Sequence, residues 1–194
     1  MENEQKINAF QEELKFVKNS EIHNFAEKAI QSLPDYFFEI PASSTGKYHP
    51  SYALGTGGLL RHTKAAVRIA FELFRTELWE FTEDQKDLIL VGLMLHDGYK
   101  SGINHEKFSQ ANHPLIITAE LEKNEDLTKI ITENKLDFLF GNIETHMGKW
   151  NYDYKTKKQV LNKPQTTSQR FTHLCDYIAS RQCLEFNFDA PMSE

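Results

Sequence analysis

His62, the pair His96 and Asp97, and Asp176 are the residues of this sequence whose types invite chemistry. His96 and Asp97 end the most apolar stretch of the chain, where the run Leu93, Met94, Leu95 would otherwise continue into a core. A group that prefers water is costly to bury unless it is paired or bound to a metal. His62 shares a helix face with Leu59, Ala66, Ile69, Ala70 and Leu73, and Asp176 falls in the last helical pattern. Together the four offer two imidazole nitrogens and two carboxylates, a donor set for a divalent ion that needs no cysteine. Taken singly, each also reads as part of a buried hydrogen-bonded network or as a helix-end cap. An ion held this way keeps positions for water, draws that water's pKa toward neutrality and can polarise an oxygen bound beside it.

The elements that must position these groups are helices. Apolar positions Ile7, Phe10, Leu14 and Val17 predict a first amphipathic helix over 6–17, packed on its own body or on another subunit. Ser20 is placed as the N-cap of a second helix reaching Leu33, which Pro34 stops. Residues 34–57 carry three prolines and Gly55 and Gly57, and read as a long loop. Helices are then expected over 58–74, over a stretch opened by the Thr82/Gln85 capping box and buried on nearly all sides at 88–95, after His113 with Pro114 in the first turn, over 135–146, and over 167–184 behind a second capping box at Thr166 and Gln169. No period-two alternation interrupts them. The expected fold is all-α and a single domain: N-terminal helices in 1–33, the loop 34–57, a metal-binding helical body over 58–185 and a tail over 186–194.

The segments GGLLRHT (57–63), LMLHDGYK (93–100), NHPLIITAEL (112–121), IETHMG (143–148) and HLCDYIASR (173–181) fall in an order that resembles the HD superfamily of metal-dependent phosphohydrolases. Within it they are most similar to the HD part of YhaM-type 3′-to-5′ exoribonucleases, over about 120 residues. The resemblance implies an HD helical bundle, with His62, His96, Asp97 and Asp176 around one ion, His113 and His146 around a second, and Asp97 bridging the two. The ions would be Mn, Fe, Co, Ni or Zn, one or two in number. Lys100, in the HDxxK position, would neutralise phosphate charge in the transition state, with Asp97 and Lys100 as the catalytic pair. Met147 stands where those relatives have a second histidine, and no strand-rich stretch supplies an oligonucleotide-binding barrel. Three functions remain open: a phosphomonoesterase or phosphodiesterase acting on a nucleotide, cyclic dinucleotide or short single strand; a 3′-to-5′ exoribonuclease without its own barrel; and a non-catalytic nucleotide-sensing or scaffold module.

Composition bounds these readings. The 194 residues carry 22 Lys+Arg against 28 Asp+Glu, a net charge of −6, which disfavours stable binding to duplex DNA through a general basic surface. The 40% hydrophobic and 26% charged content is that of a folded domain. No apolar run reaches the ~18 residues of a membrane span, and Glu2, Glu4, Glu12 and Glu13 occupy the beginning of the chain, so a cytoplasmic protein is expected. Cys175 and Cys183 are expected in one helix as buried thiols. Basic residues cluster at 149–170, six against the single acid Asp153, with Trp150, Tyr152 and Tyr154 interleaved. That stretch is either a solvated loop or a substrate contact in which rings stack bases and lysines follow phosphates. Lys149, Trp150, Arg181 and His49 are the further candidates for substrate binding, His49 being equally a turn residue before Pro50. His23, His105 and His173 read as surface or structural, and Gly55, Gly57 and Gly58 as packing glycines at a helix start rather than a phosphate loop, since no GK[ST] follows.

Overall fold

The computed structural model describes residues 1–43, 46, 49–189 and 192. Those residues form nine α-helices and no strand: α1 (Asn3–Ala9), α2 (Gln11–Leu14), α3 (Ser20–Ser32), α4 (Gly58–Phe74), α5 (Glu83–Leu95), α6 (His113–Glu122), α7 (Glu125–Thr128), α8 (Glu133–Thr145) and α9 (Thr167–Ala179). The all-α expectation holds. Among the described residues no helix is long and apolar enough to cross a membrane.

The centre is α5. Every residue from Leu88 to Leu95 is buried, because the helix is covered by α3, α4, α8 and α9. Its start is fixed by the Thr82/Gln85 capping box, in which the Thr82 hydroxyl accepts from Gln85 N and the Gln85 side chain accepts from Thr82 N. Thr166 and Gln169 open α9 the same way. Around Phe171 of α9, fully buried, the rings of Phe74, Trp79 and Phe81 close at centroid distances of 5.0, 4.9 and 5.3 Å. This aromatic cluster docks α9 against the end of α4.

Several boundaries differ from the sequence reading. The first helix is broken at Phe10 (φ −110°, ψ 13°), whose side chain turns fully into the core against Phe37. It packs on its own body, with Phe10, Leu14 and Val17 buried. The N-cap of α3 is Asn19, not Ser20: its side chain accepts from Glu21 N and Ile22 N. The expected loop 34–57 holds two short 3₁₀ turns, Asp35–Phe38 and Ser51–Ala53, and the first buries Tyr36, Phe37 and Phe38. Residues 44, 45, 47 and 48 of that loop lie outside the described residues. Helix α9 ends at Ala179 rather than 184, with Ser180 as its C-cap (φ −88°, ψ 4°). Cys183 therefore lies beyond the helix and is exposed, while Cys175 is buried; both are free thiols. In the tail, Phe186 and Phe188 stack on one another and both meet Tyr52 edge-on, and residues 190, 191, 193 and 194 lie outside the described residues.

Close packing explains one of the flagged glycines. A Cβ on Gly58 would stand 2.3 Å from the Ala53 carbonyl oxygen, so the 3₁₀ turn at 51–53 can seat on the start of α4 only when that position has no side chain.

Candidate metal centre

Five elements deliver the sequence-predicted donors to one place. His62 comes from the N-terminal half of α4, His96 and Asp97 from the end of α5, His113 from the start of α6, His146 from the end of α8 and Asp176 from α9. His62 Nε2 lies 3.0 Å from Asp176 Oδ1 and 3.7 Å from Asp97 Oδ2. His96 Nε2 is 3.5 Å from each of the same two oxygens. On the opposite side of the Asp97 carboxylate, Oδ1 faces His113 Nε2 at 2.9 Å and His146 Nε2 at 3.8 Å. One carboxylate thus divides its two oxygens between two donor sets.

The imidazoles are oriented before anything binds. His96 Nδ1 lies 2.7 Å from Leu93 O, His113 Nδ1 2.7 Å from Gln110 O and His146 Nδ1 2.7 Å from Ile143 O. A ring nitrogen that close to a carbonyl oxygen must be the N–H donor, so in the neutral ring each Nε2 is the lone pair directed at the centre. The consequence is an unsatisfied interior. His96 Nε2 and His62 Nδ1 are buried without a hydrogen-bond partner. His113 Nε2 and His146 Nε2 face each other at 3.3 Å, and with both Nδ1 atoms donating elsewhere neither neutral ring has a proton to offer. A cation relieves that arrangement. Donors around an ion at ~2.1 Å stand ~3.0 Å apart in a cis-octahedral site and ~3.4 Å in a tetrahedral one, which the 3.0 to 3.7 Å spacings match. The residues present therefore fit a divalent ion, and Asp97 with its two-sided oxygens fits a second.

Charge follows the same geometry. For Asp97, burial alone would raise the pKa, but Lys100, His96 and His113 outweigh it and hold the carboxyl well below the usual range. Asp176 is held low against burial by His62 and His96. Burial would depress His96, yet Asp97 and Asp176 raise it. Burial lowers His146 to about 3, with the charges of His96 and His113 adding to it. His49 is lowered to about 4, by burial first and by His62 and Lys100 next.

The direction of these shifts implies a pH dependence for the metal-stripped protein. In the unfolded chain His49 and His146 take up protons from about pH 6.5 downward, whereas the folded protein resists until about 4 and about 3. The unfolded state binds more protons in that window, so stability falls as the pH drops through it. The contribution of His96, from a raised pKa, is fully present below about pH 6.5 and is lost only as pH rises through its folded value; it adds no slope there. Asp97 and Asp176, both depressed, add to the loss only below about pH 4. Chelator-treated protein should show a urea midpoint that declines from pH 6.5 to 4.5, with a shallower decline in His146→Gln. A midpoint flat over that range would remove the neutral assignment of His146.

The remaining candidates surround this centre. Lys100 Nζ is 2.6 Å from Asp97 Oδ2, so its charge is engaged with the central carboxylate in the resting protein. His49 sets its ring edge-on to His62 at 5.6 Å, with Nδ1 buried and unpartnered. The donors are almost sealed; Asp176 and Lys100, with side chains 17% and 15% exposed, form the open edge. Lys149, Trp150 and Arg181 gather in a ladder around Tyr177, the residue that follows Asp176. Trp150 stacks on Tyr177 (5.7 Å, 18°), Lys149 Nζ sits 4.7 Å over the indole, and the Arg181 guanidinium sits 4.3 Å over the phenol ring. An exposed cation–π contact of this kind is worth ~0.5–1 kcal/mol.

Sequence reasoning missed Tyr177, although its place beside Asp176 and four residues before Arg181 was a usable signal, since i,i+4 side chains meet on a helix. It also understated His173, whose Nδ1 donates to the carbonyl of His146 at 2.6 Å and so holds the backbone of a donor residue. Within the basic stretch 149–170, residues 151–161 are pinned as a closed loop, the Asn151 side chain donating to Leu161 O and Val160 N to Asn151 O, and Arg170 lies in α9. Compared with models of protein families, with curated proteins and with solved structures, the chain matches none.

Proposed function

We propose that this protein is an HD-type, divalent-metal-dependent phosphohydrolase that cleaves a phosphate ester of a nucleotide, a cyclic dinucleotide or a short single strand. The observation that carries this reading is the divided carboxylate of Asp97, with His62, His96 and Asp176 on one side and His113 and His146 on the other. Those residues would hold Mn, Fe, Co, Ni or Zn, in one site or two. A divalent ion there supplies an acidified water and polarises the phosphoryl oxygen. The chain's own groups do the rest. Lys100, at the open edge, can turn from Asp97 to a phosphate oxygen as negative charge grows there. His49, neutral and with Nδ1 unpartnered, can donate or accept a hydrogen bond at that atom. Burial of the imidazoles keeps bulk water out and strengthens every charge interaction inside.

A second reading, a nucleotide-sensing module without turnover, draws on Met147, a thioether where the family pattern has an imidazole and a poor ligand for hard ions. The two are separated by measuring the metal content of the purified protein and then phosphate release from a panel of nucleotides, cyclic dinucleotides and short RNAs with Mn²⁺. Chelator-sensitive release on one of these supports the hydrolase. Bound metal without release on any of them supports the sensor. Activity confined to RNA and falling steeply with salt would support the exoribonuclease form.

A further inference from the structure

We propose that the Trp150–Tyr177 pair is a stacking site for the nucleobase of the substrate, with Lys149 and Arg181 meeting its phosphate charge. This names the substrate class of the same centre, a phosphorylated nucleoside, and rests on the hydrolase reading only for the position of the ester that is cleaved.

The pair adjoins the donors along the chain. Tyr177 follows Asp176, the most open of the donors, and Trp150 lies four residues past His146. Their position is held from below. His173 sits 6.3 Å from both rings while its Nδ1 is bonded to His146 O. Gly148 lets this happen: at φ +57° it passes so close that a Cβ would stand 2.3 Å from the His173 ring. The platform is therefore tied to the backbone of a metal donor and cannot drift from the centre independently.

Its chemistry suits a base and an anion together. Trp150 is 44% exposed although one face stacks on Tyr177, and the cation set over its ring is the Lys149 ammonium. Neither Lys149 nor Arg181 makes an ion pair with an acid among the described residues. Arg181 instead uses Nε and Nη2 on Tyr177 O and Ser180 Oγ, which keeps the guanidinium flat over the phenol ring. A planar guanidinium or an aromatic face stacks any base. The hold of a solvent-exposed ammonium on an indole is weaker than base–aromatic stacking, so an arriving base can displace Lys149 from the ring and leave its charge free for phosphate. Uncharged sugars or apolar peptides would use the rings and waste the two unpaired cations. A phosphorylated nucleoside uses both.

The test uses adenosine 5′-monophosphate, guanosine 5′-monophosphate and ribose 5-phosphate as probes, with tryptophan fluorescence of the whole protein as one readout and competition against hydrolysis of the best substrate as the other. Trp79 is the second indole of the chain, so Trp150→Phe identifies the signal. Nucleotides should quench Trp150 saturably and bind about ten- to a hundredfold more tightly than ribose 5-phosphate. Tyr177→Leu and Trp150→Leu should bring that ratio close to one, and Trp150→Phe should restore most of it. Equal affinity for base-bearing and abasic probes, or an unchanged ratio in a folded Tyr177→Leu, overturns the proposal. The two ideas fail separately: quenching by nucleotides without turnover of any substrate keeps the stacking site and removes the hydrolase, whereas turnover without base preference does the reverse.

Discussion

Asp97→Asn should leave the helical content intact and lower turnover by at least about a thousandfold, the loss expected when several kcal/mol of transition-state stabilisation disappear. The amide has nearly the same volume, and the position is fully buried, so packing is preserved. Its charge is not. Asp97 is the one group that faces His62 and His96 with one oxygen and His113 and His146 with the other. An amide offers a single acceptor oxygen and no formal charge, so both donor sets lose their anion and one of them also meets an NH₂ group. Lys100 loses its 2.6 Å partner as well. The measurements are metal per chain, phosphate release, and melting temperature with and without Mn²⁺. A ligand that binds only the folded state raises stability in proportion to the logarithm of its concentration over Kd. Mn²⁺ should therefore raise the melting temperature of the native protein clearly and that of Asp97→Asn hardly at all. Full activity in this variant would end the proposed chemistry.

Phe171→Ala should cost about 3–5 kcal/mol of folding stability. That is a large share of the ~5–15 kcal/mol of a typical domain. Phe171 is wholly buried, stacked on Phe74 at an interplanar angle of 10° and met edge-on by Trp79 and Phe81. Three rings from the 74–81 stretch close around Phe171, so the truncation removes three ring contacts at once. The urea midpoint reports the loss, and Phe171→Leu should cost less because more of the volume is kept. Since α9 carries both Phe171 and Asp176, Mn²⁺ should recover part of the stability of Phe171→Ala, unlike that of Asp97→Asn. A change below about 1 kcal/mol would mean that α9 is not docked through this cluster.

Where the signal is local, the chain could be read closely. The Thr82/Gln85 and Thr166/Gln169 boxes open α5 and α9 as expected, and α4 has the predicted bounds. Boundaries that depend on distant partners were not legible. The break at Phe10 goes with a ring that reaches Phe37, and α9 stops at Ala179 although no glycine or proline marks the place. Among the donors, His62, His96, Asp97 and Asp176 stood out as polar groups in apolar helical settings. His113 and His146 did not: each sits at a helix end, where spacing alone also allows a cap, and the ordered segments singled them out. The stacking of Trp150 on Tyr177 joins residues far apart in the chain, which periodicity cannot anticipate.

The three carbonyls that fix the imidazoles have a consequence of their own. Leu93, Gln110 and Ile143 each lie three positions before the histidine they hold, within a single turn. Fraying of that turn and release of the ring are consequently one event, so the last turns of α5 and α8 should exchange their amide hydrogens in step with cation occupancy. It also follows that these three residues act on affinity through main-chain oxygen alone. Their side chains answer to packing, and a protein of this design could drift in sequence at all three while its donors stayed aimed.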